Sequence, residues 1–469
     1  MKNVNIAIIG AGPGGYVAAL RARQLGAHVT LIERNAIGGV CLNWGCIPTK
    51  ALLRTAEVLE LARRAGTFGV NVSGVALDWP AALARKDQVV AQLVNGVEVL
   101  LGKAGVEIVK GEAHFTGPWS LVVRNGSSAK ELRPDRIIIA TGSSPMTLPI
   151  PGLDLPQVIG SDEALSLPAL PARMLVIGGG AIGVEFASLF HTCGVEVTLV
   201  ELLPRLLPLM DHDIGEGLAW SLGQKGIRIY TGSKVTRITP AGSDAVTCHV
   251  EGPAGAFDVT VDRVLLAVGR RPNVQNLGLE VAGVRFSNKG IAVNNRMETN
   301  VPGVFAIGDV VGGSMLAHVA MRQGVVAAEN AAGLESFMDY KAVPACIFSS
   351  PEAAAVGLSE EQAREAGYRV RVGKFALVNN GKALAAGDTD GFIKIVADER
   401  LDEILGLHIV GPHASDLILE GTLALNLEAT LEEIDRTIHA HPTLGEAIVE
   451  AALAARGRAL HLPAKSAEG

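Results

Sequence analysis

The chain has 469 residues, a length that predicts about three domains with substantial cores. Lys and Arg number 41 against 48 Asp and Glu, a net charge of −7 with no basic run, so nucleic acid is not an expected partner. Hydrophobic residues make up 48 %, yet no uncharged apolar stretch reaches the roughly 18 residues of a membrane span, and no membrane association is expected.

In chain order, residues 4–9 read as a strand that starts with neither an apolar signal region nor an Arg-rich transit segment. Gly10, Gly12, Pro13, Gly14 and Gly15 follow, then a helix through Leu25, a strand over residues 28–32, and Glu33. This is a βαβ dinucleotide unit. Its glycines permit a tight turn and close approach of a pyrophosphate to a helix N-terminus, and the acid is placed for ribose hydroxyls.

Next comes the run Gly38-Gly39-Val40-Cys41-Leu42-Asn43-Trp44-Gly45-Cys46-Ile47-Pro48-Thr49-Lys50. Two thiols just after such a fingerprint point to electron-pair transfer between a disulfide and a bound flavin or nicotinamide. A disulfide needs its Cα atoms within about 7 Å, whereas five residues of ideal helix rise about 7.5 Å. The segment between the cysteines must therefore turn or distort, and Gly45 supplies the freedom. Pro48 suits the first position of a helix running on through Lys50, which would set Cys46 at a helix N-terminus where a thiolate is favoured. A structural disulfide, half a metal site and two inert thiols are the alternatives. No further Cys/His set is close enough in sequence to complete a metal site; the nearest histidines are His28 and His114. The five cysteines (41, 46, 193, 248 and 346) are odd in number and sparse, which fits a reducing cytoplasm.

Residues 137–143 form a buried strand ending in Ala140, Thr141, Gly142 and Ser143. The first unit then recurs: a strand over 174–177, Gly178-Gly179-Gly180-Ala181-Ile182-Gly183, a helix, a strand over 195–200, and Glu201. Two fingerprints in register, each with its acid, predict two dinucleotide sites. Apolar strands recur at 264–268, ending in Val268, Gly269 and Arg270, and at 304–307, ending in Gly308 and Asp309. Such ends lie at the ligand-binding edge of a parallel sheet, where the Asp309 carboxylate can hold a ribityl hydroxyl. Beyond about residue 344, strands at 369–375, 391–396 and 404–410 alternate with helices at 360–365, 414–425, 431–437 and 444–455, which reads as a separate α/β unit; 463–469 reads as a loose tail. Within the last unit, His441 precedes Pro442 and Glu446 follows in the next helix. A histidine oriented by a carboxylate is the acid/base that thiol chemistry requires near neutral pH. His439 is expected to lie elsewhere.

These motifs, with Met315-Leu316-Ala317-His318 and the His439–Glu446 run, resemble the dihydrolipoyl dehydrogenase branch of the pyridine nucleotide-disulfide oxidoreductases over residues 4–462. The resemblance implies two Rossmann-like domains, for FAD (1–147) and NAD (148–268), a central domain (269–341) completing the FAD site, an α/β dimer-interface domain (342–463) and a tail (464–469). It implies that Cys41 exchanges with substrate, that Cys46 faces the flavin as a thiolate, and that Lys50 pairs with Glu185 beside it. FAD contacts are implied for residues 10–15, Glu33, Arg34, Gly39, Val40, Ala113, Ala140, Thr141, Gly142, Gly308, Asp309 and the 315–318 run. NAD contacts are implied for Gly178, Gly180, Ala181, Ile182, Gly183, Glu201, Val235, Val268, Gly269 and Arg270. His441, oriented by Glu446 and joined to Pro442 by a cis peptide, would serve the disulfide of the opposite subunit of a homodimer. The implied reaction is oxidation of dihydrolipoamide with reduction of NAD⁺. The implied partners are the lipoyl domains of an acyltransferase or the lipoyl protein of glycine cleavage.

Three positions depart from the pattern: Thr49 replaces a Ser, Trp44 is bulky, and Val319 with Met321-Arg322-Gln323 replaces a Lys and acidic residues, altering the charge near the flavin. Glu201 favours NAD over NADP, because a carboxylate repels a 2′-phosphate. A glutathione-reductase-like reading would place basic residues there, and a mercuric-reductase-like one would carry a C-terminal cysteine pair. A non-catalytic scaffold would have lost a Cys or the His.

Overall fold

The structure is a computed structural model that describes residues 4–463; the expected tail at 464–469 lies outside the described residues. Two parallel sheets of five strands organise the first two thirds. In the first, the order is Val304–Ala306, Arg136–Ile139, Asn5–Ile9, His28–Glu33, Glu107–Lys110. In the second it is Arg228–Tyr230, Glu196–Val200, Arg173–Ile177, Arg263–Leu266, Val158–Ile159. In each, the strand preceding the glycine loop lies at the centre, and Ile6, Ile8, Met174 and Val176 are nearly inaccessible. Unbroken apolar runs of this kind belong to strands covered on both faces.

The stretch 269–341 is no independent core. Its strand Val304–Ala306 pairs with Arg136–Ile139 in the first sheet, and Val304, Ala306 and Val310 pack with Ala7, Ile9 and Ile137. Its helix Ala317–Ala331 crosses the helix Pro13–Gln24 so closely that a Cβ on Gly324 would lie 2.4 Å from the Gly14 carbonyl oxygen. Glycine is required there, and the contact fixes where the Gly308–Val311 turn sits.

The C-terminal unit is the expected combination of strands and helices, with a strand direction the sequence did not specify. Its sheet is entirely antiparallel, ordered Ala345–Ile347, Glu352–Gly357, Ile404–Gly411, Phe392–Asp398, Val370–Ala376, with helices Ala414–Asn426 and Glu446–Ala455 against it. Two small antiparallel sheets, spanning 112–132 and 234–261, are additions to the predicted elements. The second unit and the C-terminal unit are joined by a buried ionic cluster. The Lys394 ammonium, 3 % exposed, reaches Asp211 at 2.9 Å, Glu360 at 3.0 Å and Asp213 at 3.3 Å.

Candidate active site

Cys41 lies in the short helix Gly39–Trp44, and Cys46 opens the long helix Cys46–Arg63. Gly45 breaks the two apart with φ −140° and ψ −113°; a Cβ there would stand 3.0 Å from the Val40 carbonyl oxygen. The required distortion is therefore a break between two helices. Pro48 is the third helical residue and not the first, because the helix starts two residues earlier, at Cys46.

Both cysteines are free thiols, and they are unlike. The hydrogen bond from the Cys41 thiol and the Lys50 charge, opposed by burial, hold Cys46 down to about 7. The same hydrogen bond to Cys46, with burial, pushes Cys41 up. A helix N-terminus at Cys46 acts in the same direction as Lys50. Lys50 Nζ donates to both Glu185 oxygens at 2.9 Å and stands 4.4 Å from the Phe348 ring centroid. Glu185 also accepts from the Phe348 N–H at 3.1 Å.

One cavity of about 600 Å³ joins these groups to the first glycine loop. Gly10, Gly12, Pro13, Gly14, Gly15, Glu33, Arg34, Gly39, Val40, Lys50 and Ala113 line it, as do Ala140, Thr141, Gly142, Gly308, Asp309, Met315, Leu316 and Ala317. Ala181, Ile182, Glu185 and Arg270 also line it. A Cβ on Gly10 would lie 2.2 Å from the Ala140 carbonyl oxygen, whereas one on Gly12 would meet open space. The loop thus packs tightly behind and stays open in front, a shape that fits a pyrophosphate against the helix Pro13–Gln24. Asp309 accepts from the Ser143 hydroxyl at 2.5 Å, and Arg270 Nε donates to the same hydroxyl at 2.7 Å. A polar chain thus links Asp309 to Arg270.

Gly178, Gly180, Gly183, Glu201, Val235, Val268 and Gly269 gather around the second glycine loop, apart from that cavity's lining. Val235 turns its side chain into the core of the second unit, leaving only its backbone for a ligand. His318 also stands apart; its exposed ring bonds the Pro344 carbonyl oxygen at 2.8 Å. Glu33 and Glu201, the acids expected to meet ribose hydroxyls, share an arrangement invisible in sequence. Glu33 accepts from the Ala11 and Asn35 N–H groups at 2.7 Å each. Glu201 accepts from Gly179 at 2.5 Å and Leu203 at 2.7 Å. Each carboxylate clamps its own glycine loop.

His441 and Glu446 form a pair, Nδ1 to Oε1 at 2.8 Å, and the His441–Pro442 peptide is cis. The Thr443 N–H and His441 hold the Glu446 carboxyl below the usual range. With Nδ1 donating to Glu446, Nε2 is left as the base. The His441 side chain is 79 % exposed and does not line the cavity of its own chain. His439 forms a separate pair with Glu420 at 2.7 Å, and despite burial that carboxylate raises its pKa. Sequence reasoning also missed Asp162, whose carboxyl is pushed up by burial at the cavity wall, Cys346 in the same wall, and Gln323. Only Gln323 had drawn notice, as a departure in charge.

A thiol pair of unequal acidity beside two dinucleotide loops defines a flavin- and nicotinamide-dependent disulfide oxidoreductase. Comparison with known proteins agrees. The pyridine nucleotide-disulphide oxidoreductase model matches residues 4–324, and the dimerisation domain of the same family matches residues 343–452. A dihydrolipoyl dehydrogenase of Bacillus subtilis is 44 % identical over 468 residues, covering 97 % of this chain and 99 % of that one. One of Thermus scotoductus is 44 % identical over 467 residues, covering 98 % and 99 %. Among solved structures, LpdA of Mycobacterium tuberculosis superposes with a TM-score of 0.88 at 29 % identity, covering 96 % of this chain and 99 % of that one. The HOCl-induced flavoprotein disulfide reductase RclA of Escherichia coli superposes with a TM-score of 0.85, also at 29 % identity, with the same coverage. The chain belongs to the pyridine nucleotide-disulphide oxidoreductase family and, within it, to the dihydrolipoyl dehydrogenases. Its cofactors are FAD and NAD. Among the described residues no helix is long and apolar enough to cross a membrane.

Proposed function

We propose that the protein oxidises dihydrolipoamide, carried on the lipoyl domain of an acyltransferase or of a glycine-cleavage lipoyl protein, and reduces NAD⁺. The observation that carries this reading is the unequal thiol pair, Cys46 acidic and Cys41 not, in one cavity with Lys50 and Asp309.

In the oxidised site, the His441 Nε2 of one subunit takes a proton from a dihydrolipoamide thiol. The thiolate attacks the Cys41 sulfur, the Cys41–Cys46 bond breaks, and Cys46 leaves as the thiolate that its environment favours. His441 releases that proton to solvent; the second lipoyl thiol, deprotonated by the base so regenerated, attacks the lipoyl sulfur joined to Cys41. Lipoamide is released as a cyclic disulfide, and Cys41 takes up a proton. Bound FAD supplies the two-electron step between the Cys46 thiolate and NAD⁺. Glu446 keeps His441 in the tautomer that leaves Nε2 free. Glu201 holds the adenosine ribose of NAD and disfavours a 2′-phosphate. Glu33 and Asp309 bind the ribose and ribityl chain of FAD. The reading places the enzyme in the cytoplasm, where a reducing poise keeps the remaining thiols free.

Because His441 is remote from its own thiols, the functional site takes one half from each subunit. Subunit mixing tests this. Cys41→Ser and His441→Gln homodimers are each expected to be inactive toward dihydrolipoamide. Dissociated and reassembled together, they should recover about a quarter of wild-type activity, since half the dimers would be mixed and each would carry one intact site. No recovery, with mixed dimers verified by mass, would refute a site shared between subunits.

A further inference from the structure

Gln323 is 3 % exposed, and both ends of its amide are engaged. Oε1 accepts from the Gly308 N–H at 2.6 Å, and Nε2 donates to the Tyr340 hydroxyl at 2.9 Å. The Tyr340 hydroxyl in turn faces the Met297 sulfur at 4.0 Å. Since Gly308 can only donate here, the amide orientation is settled by chemistry. Gly308 opens the Gly308–Val311 turn that presents Asp309 to the cavity. The cavity lining includes Gly308 itself and Ala320, one turn before Gln323 on the same helix.

A carboxylate in this place would accept from both Gly308 and Tyr340 without moving either. The geometry alone therefore does not require an amide. What differs is charge. Asp309 already brings one carboxylate to this end of the cavity, and Arg270 reaches it only through the Ser143 hydroxyl. A second anion, on the residue that grips the neighbouring peptide, would stand almost wholly out of solvent, where it is weakly screened.

We infer that Gln323 is a positioning residue for the flavin: it pins the turn carrying Asp309 through a neutral amide, and its neutrality holds the flavin potential above the value a carboxylate there would set. Reduction adds negative charge to the flavin, so a nearby anion opposes it. This deepens the FAD assignment of the same cavity and rests on it.

The test compares wild-type, Gln323→Glu and Gln323→Met holoenzymes in two readouts: the equilibrium between bound flavin and a reference dye at pH 7 and at pH 9, and the rate of FAD release followed by flavin fluorescence. Wild-type FAD content and turnover of dihydrolipoamide with NAD⁺ are measured first. A wild type without flavin refutes the underlying assignment and not the role of this residue. Q323E is expected to move the dye equilibrium about tenfold toward oxidised flavin at one or both pH values, equivalent to about 30 mV for a two-electron couple. Q323M, of similar bulk but with neither hydrogen bond, should stay within about threefold in that equilibrium and release FAD about tenfold faster, the loss of about 1.4 kcal/mol expected when a buried N–H goes unpaired. An unshifted Q323E equilibrium at both pH values overturns the charge argument. Unchanged FAD release in Q323M overturns the positioning argument. Should Q323E fail to retain FAD, the proposal stands only if Q323M retains it, because the two variants share bulk and differ in charge.

Discussion

Lys50 sits between two anions with opposite claims on it, Glu185 and the Cys46 thiolate, and Lys50→Met separates them. Cys46 is held at about 7 against an ordinary thiol value of 9. That gap of roughly two units is about 2.7 kcal/mol in favour of the thiolate, and Lys50 supplies part of it behind the Cys41 hydrogen bond. Removing the ammonium should therefore raise the midpoint by about one unit, or tenfold in thiolate at neutral pH. It also leaves the Glu185 carboxylate, 8 % exposed, with only the Phe348 N–H. A fully buried pair broken in this way costs about 3–5 kcal/mol, but the Lys50 side chain is 31 % exposed, so about 2 kcal/mol is expected. Glu185→Gln works in the opposite direction, because the Glu185 charge raises Cys46. The sign is fixed: a lowered thiol pKa keeps the thiolate above about pH 7 and loses it as pH falls through that value. The ranking of midpoints should run E185Q, wild type, double variant, K50M, from low to high. The assay is a pH titration of the long-wavelength absorbance that a thiolate gives against oxidised flavin in the two-electron-reduced enzyme. A K50M midpoint equal to that of wild type, or an E185Q midpoint above it, would refute the assignment of Lys50 as the cation that sets Cys46.

Two further substitutions probe the frame. Lys394→Met leaves Asp211, whose side chain is wholly inaccessible, without its counter-ion, and should cost about 3–5 kcal/mol, read as a lowered melting temperature. Burial pushes Asp211 up, yet the adjoining His408 and Lys394 and the Glu360 N–H hold it below the usual range. Its contribution is accordingly present above about pH 4 and lost as pH falls through the folded pKa; acid sensitivity confined to the wild type would confirm the cluster as its source. Gly324→Ala drives a Cβ to 2.4 Å from the Gly14 carbonyl oxygen, so the two helices must separate. The expected result is weakened FAD retention with the C-terminal unit intact, measured by flavin content and by dimer mass; full FAD occupancy would show that the crossing tolerates the methyl.

The repeated βαβ unit was legible because its signal is covalent and local: glycines where a Cβ meets a carbonyl oxygen, then an acid after the second strand. The helix break at Gly45 was legible for the same reason, since disulfide geometry forbids an unbroken helix. What escaped were contacts that only the folded chain closes, although their partners lie no more than 22 residues apart. The carboxylate clamps of Glu33 and Glu201 need the folded loop to bring backbone N–H groups within reach, and no pattern of residue types encodes them. The partner of His439 escaped because Glu420 lies in a different helix. The antiparallel order of the last sheet was hidden because its central strands, Phe392–Asp398 and Ile404–Gly411, are buried throughout. Continuous burial removes the alternation that distinguishes antiparallel strands from parallel ones.

The clamps also bear on how the two nucleotide sites can work. A carboxylate oxygen offers more than one acceptor direction. The N–H bonds of Glu33 and Glu201 therefore leave capacity for ribose hydroxyls. Each acid is then held in its binding position before the ligand arrives, and the conformational entropy of a glutamate, about 1.5–2 kcal/mol, is lost on folding and not on binding. The thiol site is organised in the opposite way. Cys46, Lys50 and Glu185 are fixed within one chain, while the His441–Glu446 base is equally fixed but faces outward, 79 % exposed at the imidazole. Each half is held by hydrogen bonds within its own chain; what those bonds do not fix is their meeting. On the proposed shared site, control of dithiol chemistry resides in association of subunits, whereas each glycine loop is clamped within a single chain. Conditions that dissociate the dimer should abolish dihydrolipoamide oxidation before they disturb either glycine loop.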